Sequence, residues 1–259
     1  MGATSEQGQD GGHAIVTGGG TGIGLAIARA LAAKGHAITV MGRTRAALEA
    51  AAAQLSGGGF VVCDVTDDAS VAAALAEAEA ARGPVRVLVN NAGAVTTAPF
   101  EKVGLDAWSA ALDINLLGAV RMIGAALPSL KAQPWARVIN IASTAGLKPY
   151  AYVSPYVASK HALVGLTRAL ALELAKTKVT VNAVCPGYTR TGIIETAIET
   201  IAARTGRDAE AAEAVFTGAN PQGRLVEPEE VAAAVCWLAS AEASAVTGTA
   251  LSVSGGETG

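Results

Sequence analysis

The chain has 259 residues, 51% of them hydrophobic and 16% charged, enough apolar material for one large core, so a single α/β domain is expected. A formal net charge of −3 without a basic stripe gives no electrostatic ground for a nucleic-acid partner. Charges such as Arg29 and Lys34 interrupt the alanine-rich stretches, so no apolar run is expected to reach the roughly 18 residues of a membrane span, and a small-molecule partner is expected instead.

Met1 to Gly12 is polar and glycine-rich, with no basic or apolar targeting region. It reads as a disordered leader, leaving 13–259 as the domain. His13 to Thr17 is a short buried strand that runs into Gly18-Gly19-Gly20-Thr21-Gly22-Ile23-Gly24, and Leu25 to Ala33 is helical in composition. Glycines at such a turn remove Cβ atoms that would block a pyrophosphate, and the following helix offers free N–H groups to it. The spacing of Gly18, Gly22 and Gly24 is G-x-x-x-G-x-G, which departs from the commoner G-x-G-x-x-G fingerprint.

Ala37 to Met41 is the second strand. At its end a dinucleotide fold that binds NAD places an acidic residue for the ribose hydroxyls, whereas this chain has Gly42, Arg43 and Thr44. A guanidinium without a carboxylate suits a 2′-phosphate, so NADP(H) is favoured over NAD(H). The third strand, Gly59 to Cys63, leads to Asp64-Val65, and the fourth, Val85 to Val89, leads to Asn90-Asn91-Ala92-Gly93. Both ends fall at the carboxyl edge of a parallel sheet, where Asp64 could meet an adenine and the Asn90 to Gly93 run the backbone of a cofactor. Thr66 to Ala81 is a helix of scaffold.

Leu105 to Leu127 reads as a long apolar helix interrupted by Asn115 and Gly118. A buried Asn there is either satisfied by the fold or holds a water. Arg137 to Ile141 is a buried strand ending at Ser143, and a helix opens around Tyr156 with Leu163, Leu166, Leu170 and Leu174 on one face. Tyr156 and Lys160 are four residues apart, so they share a helix face. The expectation is that the ammonium lowers the pKa of the phenol, which can then exchange a proton with a carbonyl oxygen that Ser143 also holds.

Val179 to Val184 is the sixth strand, followed by Cys185-Pro186-Gly187-Tyr188-Thr189-Arg190-Thr191. From 192 to 223 the pattern loosens into two short helices, Ile193 to Ala203 and Asp208 to Thr217, expected to form a lid. Pro228 to Ala239 is a helix and Ala250 to Val253 the seventh strand. Strands alternating with helices predict a doubly wound seven-stranded parallel sheet without repeats or a second domain. Cys63, Cys185 and Cys236 lack metal-ligand spacing, so reduced thiols, no metal and a cytoplasmic location are expected.

Taken together, Thr17-Gly18-x-x-x-Gly22-x-Gly24, Asp64, Asn90-Asn91-Ala92-Gly93, Asn115, Ser143, Tyr156-x-x-x-Lys160 and Pro186-Gly187 resemble the short-chain dehydrogenase/reductase family, in its order and spacings, from His13 to Gly256. The resemblance implies a single-domain Rossmann fold and a catalytic tetrad of Asn115, Ser143, Tyr156 and Lys160. It implies that Lys160 also binds the nicotinamide ribose, with Thr191 near the carboxamide, and that Gly18, Thr21, Gly22, Ile23, Gly24, Arg43, Thr44, Asp64, Val65, Asn91, Ala92, Gly93, Tyr156, Pro186, Gly187 and Thr189 line the cofactor. A homotetramer is implied too. The runs around Ser143 and Lys160 look most like bacterial 3-oxoacyl-thioester reductases, 3-hydroxyacyl-CoA dehydrogenases and polyketide ketoreductases. A 3-oxoacyl substrate is therefore expected, walled by Ala145, Tyr150, Tyr152, Val153, Ile193 and Ile194, with Lys148, Arg190, Arg204 or Arg207 meeting the phosphates of a carrier. A nucleotide sensor on the same fold and an isomerase using the cofactor transiently are the alternatives.

Overall fold

The computed structural model describes residues 11–206 and 208–258. Seven parallel strands form one sheet in the order β3-β2-β1-β4-β5-β6-β7. They are β1 (His13–Thr17), β2 (Ala37–Gly42), β3 (Gly59–Val62), β4 (Val85–Asn90), β5 (Ala136–Ile141), β6 (Val179–Pro186) and β7 (Ala250–Val253). Each central strand reads as a continuous β-branched run because both of its faces are covered, and β5 and β6 are buried at every position. One face packs α1 (Gly22–Ala33), α2 (Arg45–Ala52) and α9 (Pro228–Ala239) through Ile27, Leu31, Leu48, Val231 and Leu238. The other packs α3 (Asp68–Arg82), α5 (Gly118–Ala132) and α6 (Ser154–Glu173) through Val71, Leu75, Met122, Leu130 and Ala171. The order reverses between β1 and β4, which opens a crevice at the carboxyl ends of those strands.

The expected strands are all present, and three details differ. Helix α2 has no counterpart among the expected elements. The long helix is broken into α4 (Leu105–Leu112), a π turn over Asp113–Leu117, and α5. Counted as one, Leu105–Ala132 spans 28 residues and holds an 18-residue window of mean hydropathy 1.5, the length and composition of a membrane span, against the expectation that no such stretch exists. Its Met122, Ile123, Ala126 and Leu130 lie in the sheet core, and Arg121 pairs with Asp68 and Asp113 at 2.7 Å each. Of the expected leader, residues 1–10 lie outside the described residues. Gly12 belongs to the fold, its carbonyl 3.0 Å from His36 Nδ1.

Candidate active site

The register of β4 on β5 sets Asn90 beside Asn140. Asn90 Nδ2 donates to Asn140 Oδ1, and Asn140 Nδ2 donates to Thr167 Oγ1, both at 2.9 Å. This buried polar chain ties α6 to the sheet at a fixed height, and α6 carries Tyr156 and Lys160. Ser143 follows β5 and caps a single 3₁₀ turn, accepting from Ala145 N–H at 3.0 Å. Its hydroxyl lies close enough to the Tyr156 phenol to draw the phenol's pKa down. Lys160 is 4% exposed, donates to Ile141 O at 2.9 Å, and lies 5.6 Å from the centroid of the Tyr156 ring.

Asn115 enters from the π turn, where Gly118 N–H reaches back to Asp113 O. Its side chain is satisfied by protein: Nδ2 donates to Ala94 O (2.9 Å) and Ala111 O (3.0 Å), and Oδ1 accepts from Ala94 N–H (3.0 Å). A Cβ on Gly93 would fall 2.7 Å from Asn115 Oδ1 and 3.5 Å from Lys160 Nζ. Asn115 and Lys160 therefore meet beside the Gly93 backbone, with the Tyr156 ring against Lys160 and Ser143 next to the phenol.

One electrostatic expectation is corrected. Burial pushes the Tyr156 phenol above its ordinary value, and the Ser143 hydroxyl offsets this only in part. Burial also brings Lys160 down from 10.5 to about 8. Desolvation outweighs the pull of the cation on the phenol, because the ammonium is aimed at Ile141 O and the ring lies beside it. A phenol held up in this way is protonated at neutral pH and ready to donate.

The glycine turn is built from across the sheet. Gly18 (φ 62°) and Gly22 (φ 52°) are left-handed, a backbone that glycine adopts freely. Asn91 Nδ2 donates to Thr17 O (3.0 Å) and Gly18 O (3.1 Å), while Thr17 Oγ1 accepts from Asn91 and Ala92 N–H at 3.0 and 3.1 Å. Asn91 thus holds the turn in shape through its side-chain Nδ2. Gly24 is needed for close approach, since a Cβ there would fall 2.2 Å from Gly18 O. Beside this turn is a cavity of about 310 Å³ lined by Gly18, Gly20, Thr21, Gly42, Arg43, Thr44, Ala47, Leu48, Cys63, Asp64, Val65, Ala92, Gly93 and Ile114. Asp64 accepts from Thr66 N–H (3.0 Å) and Thr66 Oγ1 (2.7 Å), which keep its carboxyl below the usual range. Ile23 is half-buried at the start of α1, and Thr191 closes the far side, its Cγ2 3.3 Å from where a Gly22 Cβ would stand. Pro186 is buried at the end of β6, Gly187 N–H donates to Val253 O, and Thr189 Oγ1 is spent on Gly187 O at 3.0 Å. A bare glycine turn, a helix start and a guanidinium around one elongated cavity fit a phosphorylated dinucleotide.

The substrate side departs from expectation at several residues. Ala145 is buried and its N–H serves Ser143, so it backs the site and does not wall it. Tyr150 hydrogen-bonds Thr144 and Glu257. Tyr152 (φ 67°) and Ile193 are 62% and 71% exposed at the rim, Val153 precedes α6, and Ile194 packs into the lid core of Ile198, Ala212 and Leu225. The lid consists of α7 (Gly192–Thr205) and α8 (Ala209–Thr217). Lys148 and Arg190 are not free for a carrier phosphate. Lys148 pairs with Glu257 at 3.0 Å, and Arg190 pairs with Glu213 and Glu227 at 2.8 and 3.2 Å. Arg204 is exposed at the end of α7, and Arg207 lies outside the described residues. Sequence reasoning names Thr17 in the glycine-turn motif without assigning its side chain a role, and misses Ala94, Tyr188 and Glu257, which carry no sequence signal.

A dinucleotide cavity that opens beside a half-buried Ser and Tyr and a buried Lys fits an oxidoreductase acting on hydroxyl and keto groups. The profile of the short chain dehydrogenases matches residues 12–202. The chain belongs to the short-chain dehydrogenase/reductase family. It is 42% identical over 249 residues to the protein named as ketoacyl reductase 1 of the granaticin polyketide synthase of Streptomyces violaceoruber, covering 94% of this chain and 92% of that one. It is 39% identical over 248 residues to D-beta-hydroxybutyrate dehydrogenase of Cupriavidus necator, covering 94% and 96%. Among solved structures it matches a phenylalanine-to-tryptophan variant of the actinorhodin polyketide ketoreductase with NADPH at a TM-score of 0.91 and 37% identity, covering 96% and 98%.

Proposed function

We propose that the protein is an NADPH-linked ketoreductase that reduces the β-carbonyl of an acyl substrate to a secondary alcohol, with Tyr156 as proton donor. The observation that carries this reading is the half-buried Tyr156 ring set 5.6 Å from the buried Lys160 ammonium, with desolvation keeping the phenol protonated beside Ser143. When bound, the nicotinamide supplies the hydride. The phenol gives its proton to the substrate oxygen, the Ser143 hydroxyl holds that oxygen as charge develops, and the Lys160 ammonium stabilises the phenolate left behind. Gly18, Gly22 and the start of α1 would hold the pyrophosphate, and Arg43 the 2′-phosphate. A relative named for a ketoacyl substrate and one named for beta-hydroxybutyrate support a β-oxygenated acyl chain. The exposed Tyr152 and Ile193 give that chain an apolar rim. With Lys148 and Arg190 already paired, a carrier phosphate finds little on this mouth, so the acyl group is recognised chiefly by its chain.

The test is kcat/KM for acetoacetyl-CoA, an N-acetylcysteamine β-keto thioester and simple cyclic ketones, each with NADPH. Turnover of β-keto thioesters well above the cyclic ketones is expected. A preference for the free ketones would replace the acyl reading with general ketone reduction, and no oxidation of NADPH by any of them would leave the sensor reading. A homotetramer in the cytoplasm completes the proposal. Leu105 is 84% and Leu172 80% exposed, and Phe100, Leu117 and Val120 are exposed beside the same helices, a surface suited to pairing across a two-fold axis. Light scattering at micromolar concentration should give four subunits, and a monomer would overturn that part.

A further inference from the structure

The C-terminal segment folds back into the site. Two consecutive left-handed glycines, Gly255 (φ 62°) and Gly256 (φ 95°), reverse the chain after β7. The turn lies on the foot of the lid, so tightly that a Cβ on Gly255 would fall 2.0 Å from Asn220 Oδ1. The reversal sends Glu257 inward, with its side chain 1% exposed. One carboxylate oxygen lies 3.0 Å from Lys148 Nζ and accepts from the Tyr150 hydroxyl. Since a carboxylate only accepts, Tyr150 is the donor there, and the Thr144 hydroxyl donates to the Tyr150 oxygen at 2.7 Å. Thr144 is joined directly to Ser143. The other carboxylate oxygen packs against Gly187, 3.0 Å from where a Cβ would stand. The Tyr150 ring meets Tyr188 edge-on at 6.1 Å, and Tyr188 meets Phe216 of α8 at 5.2 Å.

A carboxylate buried this deeply is expensive unless it is paired and hydrogen-bonded, and an apolar side chain would fill the same space without that penalty. Both polar partners of Glu257 stand on the short loop between Ser143 and Tyr156. We propose that Glu257 is a positioning residue: it fixes the loop from Thr144 to Tyr150, and through the Tyr188 ring the lid, in the arrangement that receives the ketone. The end of the chain thereby sets substrate affinity without touching substrate. This rests on the reading of the site as a ketone reductase.

The experiment compares Glu257→Ala, Glu257→Gln and Tyr150→Phe in the full chain. Three quantities are measured: KM and kcat for the ketone that the unmodified protein reduces best, NADPH affinity by fluorescence, and backbone hydrogen exchange of residues 144–153. Glu257→Ala should raise the ketone KM on the order of tenfold, the size of one charge-assisted hydrogen bond withdrawn from the loop. Its kcat should stay within about threefold and its NADPH affinity within about twofold, on the same scale of one lost loop contact. Exchange in 144–153 should quicken while β1 and α1 keep their protection. Glu257→Gln should lie between, because its amide oxygen still accepts from Tyr150 but no longer pairs with Lys148. In the double variant Tyr150→Phe should add less than its full effect to Glu257→Ala, since both remove the Tyr150–Glu257 bond. Unchanged KM and unchanged loop exchange would overturn the proposal, as would a loss of protection spread over the whole chain. If Glu257→Ala does not fold, the other two variants decide by the same loop exchange. If the unmodified protein reduces no ketone, the reductase reading fails, and the exchange measurement still decides whether Glu257 orders the loop.

Discussion

Lys160 should be a residue that the fold would be more stable without. Its ammonium is buried in α6, and among the described residues no carboxylate lies within ion-pair reach of it. Burial lowers its pKa from 10.5 to about 8. The unfolded chain therefore holds the extra proton between those two values, so the contribution of Lys160 to stability rises with pH across that window and is lowest below about 8. At about 1.4 kcal/mol per pH unit, the penalty at pH 7 is about 3 kcal/mol. Lys160→Met keeps the stem volume and removes the charge, but gives up the charged hydrogen bond to Ile141 O, which contributes about 2 kcal/mol. The variant should then be more stable than the unmodified protein by about 1 kcal/mol at pH 7, with turnover abolished. Urea unfolding at fixed protein concentration, run at pH 7 and at pH 10, measures the gap. The buried tyrosines and thiols act in the opposite sense: their raised pKa values give stability that is lost as pH rises, and comparing two proteins that share them cancels the effect. The gap should shrink toward pH 10. A less stable Lys160→Met at pH 7, or a gap indifferent to pH, would refute the reasoning.

Tyr156→Phe should lower kcat by roughly 10²- to 10⁴-fold and leave NADPH affinity within about twofold, as fluorescence titration would report, because the phenol moves the proton and the ring still packs. Arg43 is exposed at the cofactor cavity, and Arg43→Ala should raise the NADPH KM by about 10- to 100-fold, the range of a charged hydrogen bond, with NADH unaffected; equal effects on both would mean that Arg43 does not read the 2′-phosphate. Gly93→Ala should reduce kcat/KM by about tenfold or more with either cofactor, since its Cβ would stand 2.7 Å from Asn115 Oδ1 and push apart groups that must converge. A Gly93→Ala protein with normal kinetics would show that Asn115 and Lys160 tolerate displacement.

How much of this was legible in the sequence follows the distance over which each contact is made. The strands could be read because β-branched runs declare burial locally, and Tyr156 with Lys160 because helical spacing fixes their shared face. Helix α2 could not, since Arg45-Ala46-Ala47-Leu48-Glu49-Ala50-Ala51-Ala52 spans only 8 residues and buries only Leu48 and Ala51, too short a run for helical periodicity to stand out among the alanines. The direction of the phenol shift depends on depth below the surface, which spacing does not encode. Thr17 with Asn91, and Tyr150 with Glu257, join residues 74 and 107 positions apart, so neither partner announces the other.

Asn115 carries the point further, because its two readings, satisfied by the fold or holding a water, were equal until the structure located Ala94. The amide binds both main-chain groups of that residue, in the loop that follows β4. The π turn supplies this reach, with Asn115 anchored to Ala111 O behind it. Gly93, immediately before Ala94, brings the same loop against Lys160. The side chain that looked like an awkward polar intrusion in an apolar helix is therefore the joint between the cofactor wall and the proton donor's lysine, and the helix is widened at that one turn to make it.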